Sequence, residues 1–415
     1  MVILDEAHHC AKEHPYCRVM ISHHHPTDIW KPKILGLTAS PAGKSSLEKT
    51  TVMMKQLLKN LGGVKLITAE TDELQQYSSN TPLIIKKISL TEAENTLRVA
   101  LWQHLLKCTK NLNERTNIAK ILDRWPFDGF DNLDDDLMKD FVVNIAESFQ
   151  DLMCLVTPNR NEDAIQVNVL KDHTTVIAQA IFAIQEVGLQ CAWYYLKKLT
   201  QESFLGKFSN VEGLEVECSR IKILMSGYDK TKPLDLDDLL EAEEFPVIKE
   251  LLNNLVTEVD WNVETKPRPM VLVLARQRKD VKVLKRILAN SSQLKARNIE
   301  ITYIIGHGPN NSDGMSVKKQ DATFQEIKDH KYQVVVATSI AEEGIDIPEC
   351  EMVVQMDPPT NVNSLVQIRG RARKRNSKFL ALCRDQRQVD VLESLKKQEK
   401  YMIQAAKQIM AQQFD

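Results

Sequence analysis

Short apolar runs alternate with longer amphipathic stretches near the start of this 415-residue chain. Leu47 to Leu61 repeats its apolar residues at helical spacing and is followed by Gly62 and Gly63, which are typical of a helix end. Three runs around it have the length and composition of strands: Val2 to Leu4, Ile34 to Leu37 and Leu83 to Ile85. This alternation predicts that residues 1–90 belong to an α/β domain with a parallel sheet.

The period of the pattern changes at Thr91. Thr91 and Glu94 have the spacing of a capping box, and apolar residues recur at helical intervals from Leu97 onwards. Helical patterns continue to about residue 245, with two acidic interruptions that we interpret as solvated loops. Residues 91–245 are therefore predicted to form a helical domain inserted between two α/β domains.

Strand and helix patterns alternate again after residue 246. An amphipathic helix is predicted from Val247 to Leu255. Five apolar runs separated by helical segments predict strands at 271–274, 301–305, 334–336, 351–354 and 379–382. We predict that residues 246–385 form a complete, doubly wound parallel sheet domain, and that residues 386–415 form a long charged helix that packs only partly.

Composition indicates an ordinary globular protein, with 43% hydrophobic and 27% charged residues. The longest apolar stretch, Ile177 to Leu199, contains several Gln, Glu and Lys residues and therefore predicts a buried or amphipathic helix rather than a membrane span. The eight cysteines include no C-x-x-C pair, so we expect reduced thiols rather than a zinc site or disulfides. The expected location is the cytoplasm, with the nucleus as the alternative.

Charge is unevenly distributed along the chain. Residues 266–415 contain 26 Lys and Arg against 17 Asp and Glu, a net charge of +9. Residues 1–265 contain 28 against 39, a net charge of −11. The basic C-terminal third fits a polyanionic ligand such as nucleic acid.

An acidic tetrapeptide, Asp5 to His8, follows the first predicted strand. Open α/β sheets bind ligands at the carboxyl ends of their strands, so this position suits catalysis. Asp5 can hold Mg²⁺ through water there, and Glu6 can polarise an attacking water. Thr38 and Ser40 end the next predicted strand and can hydrogen-bond back to the acidic site, which would couple it to the neighbouring domain.

A second group of candidate residues follows the predicted strand at 334–336. Thr338 lies at the strand end, where its hydroxyl can bind a backbone phosphate. Gly344 allows a flexible turn, and the Asp346 carboxylate can accept a hydrogen bond from a ribose hydroxyl. The two glutamates at 342 and 343 are interpreted as a solvated turn.

An arginine-rich segment runs from Gln367 to Arg373. We predict that Gln367, Arg371 and Arg373 open a helix. The density of positive charge indicates a phosphate-facing cluster, with members Arg369, Arg371, Arg373, Lys374 and Arg375. An arginine that reaches across a cleft can stabilise the charge on a transferred phosphate.

Four of these segments resemble motifs II, III, V and VI of superfamily 2 helicases: Val2 to His9, Leu37 to Ser40, Ala337 to Pro348 and Gln367 to Arg373. Several further segments are similar to those of the Dicer/RIG-I-like branch, whose members are motors activated by duplex RNA. The segments that carry this similarity are His14-Pro15-Tyr16, Arg18-Val19-Met20, Gly306-His307-Gly308, Gly314-Met315-Ser316 and Gln320. A helical insertion is also typical of that branch.

The resemblance implies that residues 1–90 are the C-terminal part of one RecA-like domain and that residues 246–385 are a complete second one. It implies that ATP and Mg²⁺ bind between them. The implied catalytic residues are Asp5, Glu6, Arg371 and Arg373, and the implied ATP-binding residues are His8, Gly344, Asp346 and Gln367. Double-stranded RNA would be bound through Arg276, His307 and Thr338, and a double-stranded-RNA-binding protein is a further implied partner.

The favoured function is a part of a Dicer-like, double-stranded-RNA-stimulated, ATP-dependent RNA helicase or translocase acting in RNA silencing. The sequence lacks the G-x-x-x-x-G-K-[ST] loop with which such motors grip their nucleotide. We therefore expect a fragment of a longer protein that does not hydrolyse ATP alone. Two alternatives stay open: a non-catalytic RNA-binding remnant of a helicase, and a DNA-remodelling superfamily 2 helicase.

Overall fold

A computed structural model describes residues 1–11, 13–23, 32–63, 65–68, 81–116, 176–189, 191–192, 195–196, 245–261, 267–306, 314–338, 347–359, 361–374 and 376–412. The chain divides into two compact units. The first unit combines Met1–Ser89 with Leu251–Asp415, and the second is Leu90–Glu250. The two ends of the sequence thus share one unit, and the residues predicted as a helical insertion fall within the other.

A small parallel sheet forms the start of the first unit. Strand β1 (Val2–Leu4) pairs with β2 (Ile34–Gly36), and Ile3 lies opposite Leu35. Leu4 packs into an apolar cluster with Ala7, Cys10, Met20 and Leu57. Ile3 and Leu35 instead remain 54% and 43% exposed. One face of this sheet is therefore packed, whereas apolar side chains of the other face are open to solvent.

A six-stranded sheet forms the centre of the first unit. Its strands are β3 (Leu83–Lys87), β4 (Val271–Leu274), β5 (Ile301–Ile304), β6 (Val334–Ala337), β7 (Met352–Gln355) and β8 (Lys378–Cys383). Their order is β3-β8-β7-β4-β6-β5, and every pair is parallel. Strands β4, β6 and β7 are fully buried, which explains their continuous apolar sequences. The predicted α/β fold with a parallel sheet is confirmed.

Strand β3 differs from the sequence expectation. The sequence pattern places Leu83–Ile85 in the first α/β region, but β3 is the edge strand of the six-stranded sheet, with Leu83 opposite Phe379 of β8. The local pattern identifies an extended segment, whereas tertiary contacts decide which sheet it joins. The six-stranded sheet therefore combines one strand from the N-terminal part of the chain with five from the C-terminal part.

Helices cover the strands of the first unit. Their bounds are α1 (Pro15–His23), α2 (Leu47–Asn60), α4 (Pro246–Thr257), α5 (Arg278–Asn290), α6 (Ser292–Lys295), α7 (Val317–Lys328), α8 (Val362–Arg369) and α9 (Gln386–Ala411), of which α4 begins in the second unit. Four of them begin with a side chain that accepts a hydrogen bond from a backbone N–H three residues on: Ser46, Ser316, Asn361 and Asp385. Such caps define where these helices start.

Helix α9 packs along one face and exposes the other, which agrees with the partial packing that its charge predicts. Met402, Ala405 and Ile409 form an apolar cluster with Ala42 and Met54 of the N-terminal segment. Lys and Glu occupy the outer face. The packed stripe is narrow and built partly from alanine.

The second unit is helical where the structure describes it. Helix α3 (Glu92–Thr116) begins with the predicted capping box: Thr91 N donates to Glu94 Oε2 at 2.8 Å, and Glu94 N donates to Thr91 Oγ1 at 3.2 Å. Residues 176–186 form a buried helical segment that ends near Gly188, whose φ of 111° favours glycine. Within the described residues, all helices fall short of the length and apolar character needed to span a membrane.

Candidate nucleotide and nucleic-acid sites

The acidic segment after β1 turns sharply. Glu6 adopts the left-handed conformation, with φ 48° and ψ 47°, and leads into a 3₁₀ turn over Ala7–His9. This conformation is uncommon for residues other than glycine and costs on the order of 1 kcal/mol. Glu6 N donates a hydrogen bond to Asp5 Oδ1 at 3.0 Å, which fixes the exposed Asp5 carboxylate beside it. The turn thus presents two adjacent carboxylates at the strand end.

His8 connects this turn to the end of β2. Its Nδ1 lies 2.9 Å from Thr38 Oγ1 and 3.2 Å from Glu6 Oε2. Ser40 N donates to the same Thr38 hydroxyl at 3.2 Å. The structure therefore brings the acidic segment and Thr38 into direct contact, and it holds Ser40 through its backbone rather than through its buried hydroxyl.

Gln367 of α8 reaches the acidic turn from the other end of the chain. Its Nε2 donates to Glu6 Oε1 at 3.3 Å, and the two residues are 361 positions apart. The approach of α8 is close, since a Cβ on Gly43 would overlap Val362 Cγ1 at the start of that helix. Two residues assigned separately from the sequence, as catalytic and as ATP-binding, thus share one site.

Arg371 and Arg373 follow helix α8, so the prediction that Gln367 and these arginines open a helix is wrong. Gln367 lies in the last turn, and α8 ends at Arg369. Arg373 is exposed, and its Nε donates to Gly370 O at 2.9 Å. Positive side chains beyond the last turn interact favourably with the negative end of the helix dipole. The sequence does not identify this helix end, because the Gly370 turn is equally consistent with the start of a helix.

Polar contacts hold residues 370–374, which we call the arginine loop, in place. Thr81 and Ser377 each donate from the side-chain hydroxyl to Ala372 O at 2.8 Å. Cys350 N donates to Arg371 O at 3.2 Å. Neither hydroxyl was singled out from the sequence, because isolated Thr and Ser carry no distinctive pattern. The loop is thus fixed by residues from both ends of the chain.

The thiol beside this loop is unreactive. Burial and then the neighbouring Glu351 carboxylate raise the pKa of Cys350 to about 12, against the lowering influence of Arg371, Arg373 and Lys374. The thiol therefore stays protonated at neutral pH and has a packing role.

Part of the predicted arginine cluster is engaged in ion pairs. Arg369 Nη1 donates to Glu399 Oε2 of α9 at 2.9 Å, and a second bond makes the pair bidentate. Lys374 Nζ lies 3.5 Å from Glu351 Oε1. Arg369 therefore ties α8 to α9 instead of facing a phosphate, which leaves Arg371 and Arg373 as the phosphate-facing candidates. Arg375 lies outside the described residues.

The RNA-binding candidates lie at the carboxyl ends of the strands. Arg276 follows β4 and Thr338 follows β6, and these two strands are paired with Leu274 opposite Ala337. Arg276 Nε lies 3.3 Å from Oδ2 of the buried Asp357, which follows the other neighbouring strand, β7. Asp357 was missed because one acidic residue beside two prolines reads as a loop. His307, Gly344 and Asp346 lie outside the described residues.

The two groups of residues occupy opposite ends of the sheet. Arg371 bonds to Cys350, which precedes β7, whereas Arg276 and Thr338 follow β4 and β6. A four-residue strand separates its ends by about 13 Å. We call the edge that carries Arg276 and Thr338 the RNA edge. The arginine loop and the RNA edge are therefore separate surfaces of one sheet.

The acidic site has the donors that a magnesium nucleotide needs. Among the described residues, groups of three or more His, Cys, Asp and Glu able to hold a metal do not occur. Mg²⁺ bound with a nucleotide uses only one or two carboxylates and takes its other ligands from phosphate and water. The exposed Asp5 carboxylate fits that kind of coordination.

The acidic strand end contacted by Gln367, and the arginine loop beside the parallel sheet, are features by which the sequence resembles helicases. Residues 247–376 match the family model of the helicase conserved C-terminal domain. The helicase domain of Hef from Pyrococcus furiosus aligns with 94% of this chain and 73% of its own, at 19% identity and a TM-score of 0.48.

Similarity to curated proteins is more specific. Endoribonuclease Dicer homolog 1 of Oryza sativa subsp. japonica is 24% identical over 92% of this chain and 21% of its own length. Dicer-like protein 2 of Emericella nidulans is 25% identical over 98% of this chain and 25% of its own length. Dicer-like protein 2 of Aspergillus oryzae is 27% identical over 91% of this chain and 26% of its own length. The predicted similarity to Dicer-family proteins is confirmed, and the chain spans about a quarter of the length of these relatives.

Proposed function

We propose that this chain is part of a double-stranded-RNA-stimulated, ATP-dependent RNA helicase or translocase that acts in RNA silencing. The observation that supports this most strongly is the hydrogen bond between Gln367 and Glu6. A carboxylate at a strand end, contacted by a helix that two arginines follow, is suited to activating water and stabilising a transferred phosphate.

Each residue at the acidic site has a defined role in this proposal. Bound Mg²⁺ would neutralise phosphate charge, and Asp5 would hold it through water. Glu6 would accept a proton from the attacking water, and Gln367 would orient the Glu6 carboxylate. Arg371 and Arg373 would contact the transferred phosphate. Through His8, Thr38 and Ser40, changes at the nucleotide would reach the end of β2.

The nucleic acid in this proposal is duplex RNA bound at the carboxyl ends of the six-stranded sheet. Arg276 and Thr338 would contact backbone phosphates there. His307, Gly344 and Asp346 complete the assignment as sequence predictions. A double-stranded-RNA-binding protein as partner and a cytoplasmic or nuclear location belong to the same proposal.

Substitution of Glu6 tests the proposed activity. In a full-length protein that carries the nucleotide-gripping loop, Glu6→Gln should lower the ATP turnover rate by a factor of about 10² or more, because general-base catalysis contributes that much. Duplex RNA affinity should stay unchanged. Glu13→Gln, an exposed neighbour, is the matched control. Undiminished turnover in Glu6→Gln would remove Glu6 from the catalytic role.

Competition between duplexes separates the alternatives. RNA and DNA duplexes of one sequence would be added to the labelled RNA complex, because A-form shape and 2′-hydroxyl groups distinguish RNA. Stronger displacement by DNA would favour a DNA-remodelling helicase. If the full-length protein binds duplex RNA but has no affinity for ATP, the result would favour a non-catalytic RNA-binding remnant.

A further inference from the structure

The segment from Arg276 to Asn298 carries most of the excess positive charge of the C-terminal third. It contains eight Lys and Arg residues and one acidic residue, Asp280, so its net charge is +7 of the +9 found in residues 266–415. Most of these cations lie on helix α5. We call five of them the basic face: Arg278, Lys279, Lys282, Lys285 and Arg286.

The packing of α5 determines which side of the helix carries the exposed cations. The apolar side of α5 is buried, and the helix lies against β5 and β6. The residues of the basic face are partly or fully exposed, and Arg286 is the most open of them. Asp280, the single acidic residue of the segment, is completely buried. One carboxylate balances only part of the charge of the five cations, so the outer side of α5 has a net positive charge.

The first turn of α5 contains two cations at the positive end of the helix dipole. The amino end of a helix has partial positive charge and favours acidic side chains. Asp280 in that turn satisfies this preference, but Arg278 and Lys279 occupy the same turn and Arg276 lies just before it. The dipole alone would not favour these cations. Sequence positions that break a local rule are commonly functional positions.

The basic face continues from the proposed RNA edge. Arg276 lies at the carboxyl end of β4, near Thr338, and α5 begins two residues later. A helix of 13 residues is about 20 Å long. The basic face thus starts at the edge and extends along the side of the domain.

We propose that the basic face binds backbone phosphates of double-stranded RNA beyond the edge formed by Arg276 and Thr338. This inference rests on the proposed function and adds a second contact surface to it. Regularly spaced cations on one side of a helix match the repeating charge of a duplex backbone, which proteins bind without reading sequence.

The test compares two triple variants of the whole chain. Lys282→Gln/Lys285→Gln/Arg286→Gln neutralises the part of the basic face farthest from the edge. Lys397→Gln/Lys400→Gln/Lys407→Gln removes the same charge from the exposed side of α9 and is the control. Glutamine preserves much of the aliphatic stem, so both variants should unfold at the same temperature as the original protein.

Binding of a fluorescently labelled, blunt RNA duplex is measured over a range of salt concentrations. Each lost phosphate contact lowers the slope of log affinity against log salt by about 0.9 in a duplex, so the basic-face variant should lose about 2–3 in slope. Its affinity should fall about 10- to 100-fold at low salt. The control should keep both the slope and the affinity of the original protein.

The outcomes distinguish this inference from the proposed function. If the original chain does not bind duplex RNA, both are overturned. If Arg276→Gln weakens binding while the basic-face variant matches the control, the function stands and the basic face is not an RNA surface. Loss of binding to an acidic polypeptide, with duplex affinity unchanged, would overturn the inference in favour of an anionic protein partner.

Discussion

Glu6 is restrained from three directions. Its backbone is left-handed, His8 Nδ1 lies 3.2 Å from one carboxylate oxygen, and Gln367 donates to the other. Strained backbone conformations persist where the surrounding structure determines them, and they cluster at functional positions. A carboxylate held in one orientation can accept a proton without first losing conformational freedom.

Replacement of Gln367 by Glu should change the pH dependence of turnover. The variant would place a second carboxyl group about 3.3 Å from that of Glu6, and like charges raise the pKa of one member of such a pair. In a full-length protein, the acidic limb of the rate profile should move upward by at least about one pH unit. The ATP turnover rate is measured between pH 5 and pH 9.

Gln367→Ala provides the matched comparison. It removes the amide without adding charge, so its rate should fall while its acidic limb stays close to that of the original protein. Identical limbs for Gln367→Glu and Gln367→Ala would show that Gln367 and Glu6 do not interact during turnover.

At the scale of elements, α9 joins the two ends of the chain. Its apolar stripe packs against Ala42 and Met54, and Glu399 forms a bidentate pair with Arg369 at the end of α8. The arginine loop begins directly after that pair. Helix α9 therefore stabilises the approach of α8 to the acidic site as well as its own contact with α2.

Truncation of the buried face of α9 should destabilise the protein. Ile409→Ala removes a buried side chain and should lower the free energy of unfolding by about 2–4 kcal/mol. Ile403→Ala on the same helix is the control, since Ile403 is 49% exposed and its loss should cost less than about 1 kcal/mol. Both values come from denaturant unfolding. Equal losses would mean that α9 is not packed along this face.

The element pattern was predictable where it is local. Strands β4 to β8, helix α2 and the Thr91–Glu94 capping box follow from periodicity and cap chemistry. The sheet membership of β3 and the packing partners of α9 were not predictable, because both depend on segments far away in sequence. The end of α8 was misread because Gly and Arg occur on either side of many helix boundaries.

At the scale of the whole molecule, the arginine loop and the RNA edge lie at opposite ends of the sheet strands. The loop is anchored near the start of β7, and Arg276 lies beyond the end of β4. Substitutions that are well separated and share no partner usually have additive effects. The two surfaces should therefore respond independently to mutation when turnover is measured at saturating duplex RNA and ATP.

Arg276→Gln and Arg373→Gln should separate binding from turnover. In a full-length protein, Arg276→Gln should weaken duplex RNA binding about tenfold and reduce its salt slope by about 1. Arg373→Gln should lower the saturated ATP turnover rate by about 10³ or more and leave duplex affinity unchanged. The double variant should show the sum of these free-energy changes. Loss of duplex affinity in Arg373→Gln alone would contradict the separation.

The sequence identified much of the acidic site but not its supports. Glu6, His8, Thr38 and Gln367 could be singled out because strand ends and rare residue combinations mark them, and the structure brings them into contact. The residues that hold the arginine loop, Arg369 and Arg276 carry no such mark: Thr81, Ser377, Glu399 and Asp357. Gly344, Asp346 and His307 stay predictions.

Strand β3 gives the arginine loop a mechanical anchor within the first unit. Beyond the end of β3, Ile88 N–H donates to Cys383 O at the end of β8. A force along β3 would act on all of its evenly spaced hydrogen bonds to β8 together instead of on one bond at a time. At the other end of β3, the Thr81 hydroxyl donates to Ala372 O and would pass part of such a force to the loop. Resistance of β3 to shear would therefore help to keep the arginine loop in position.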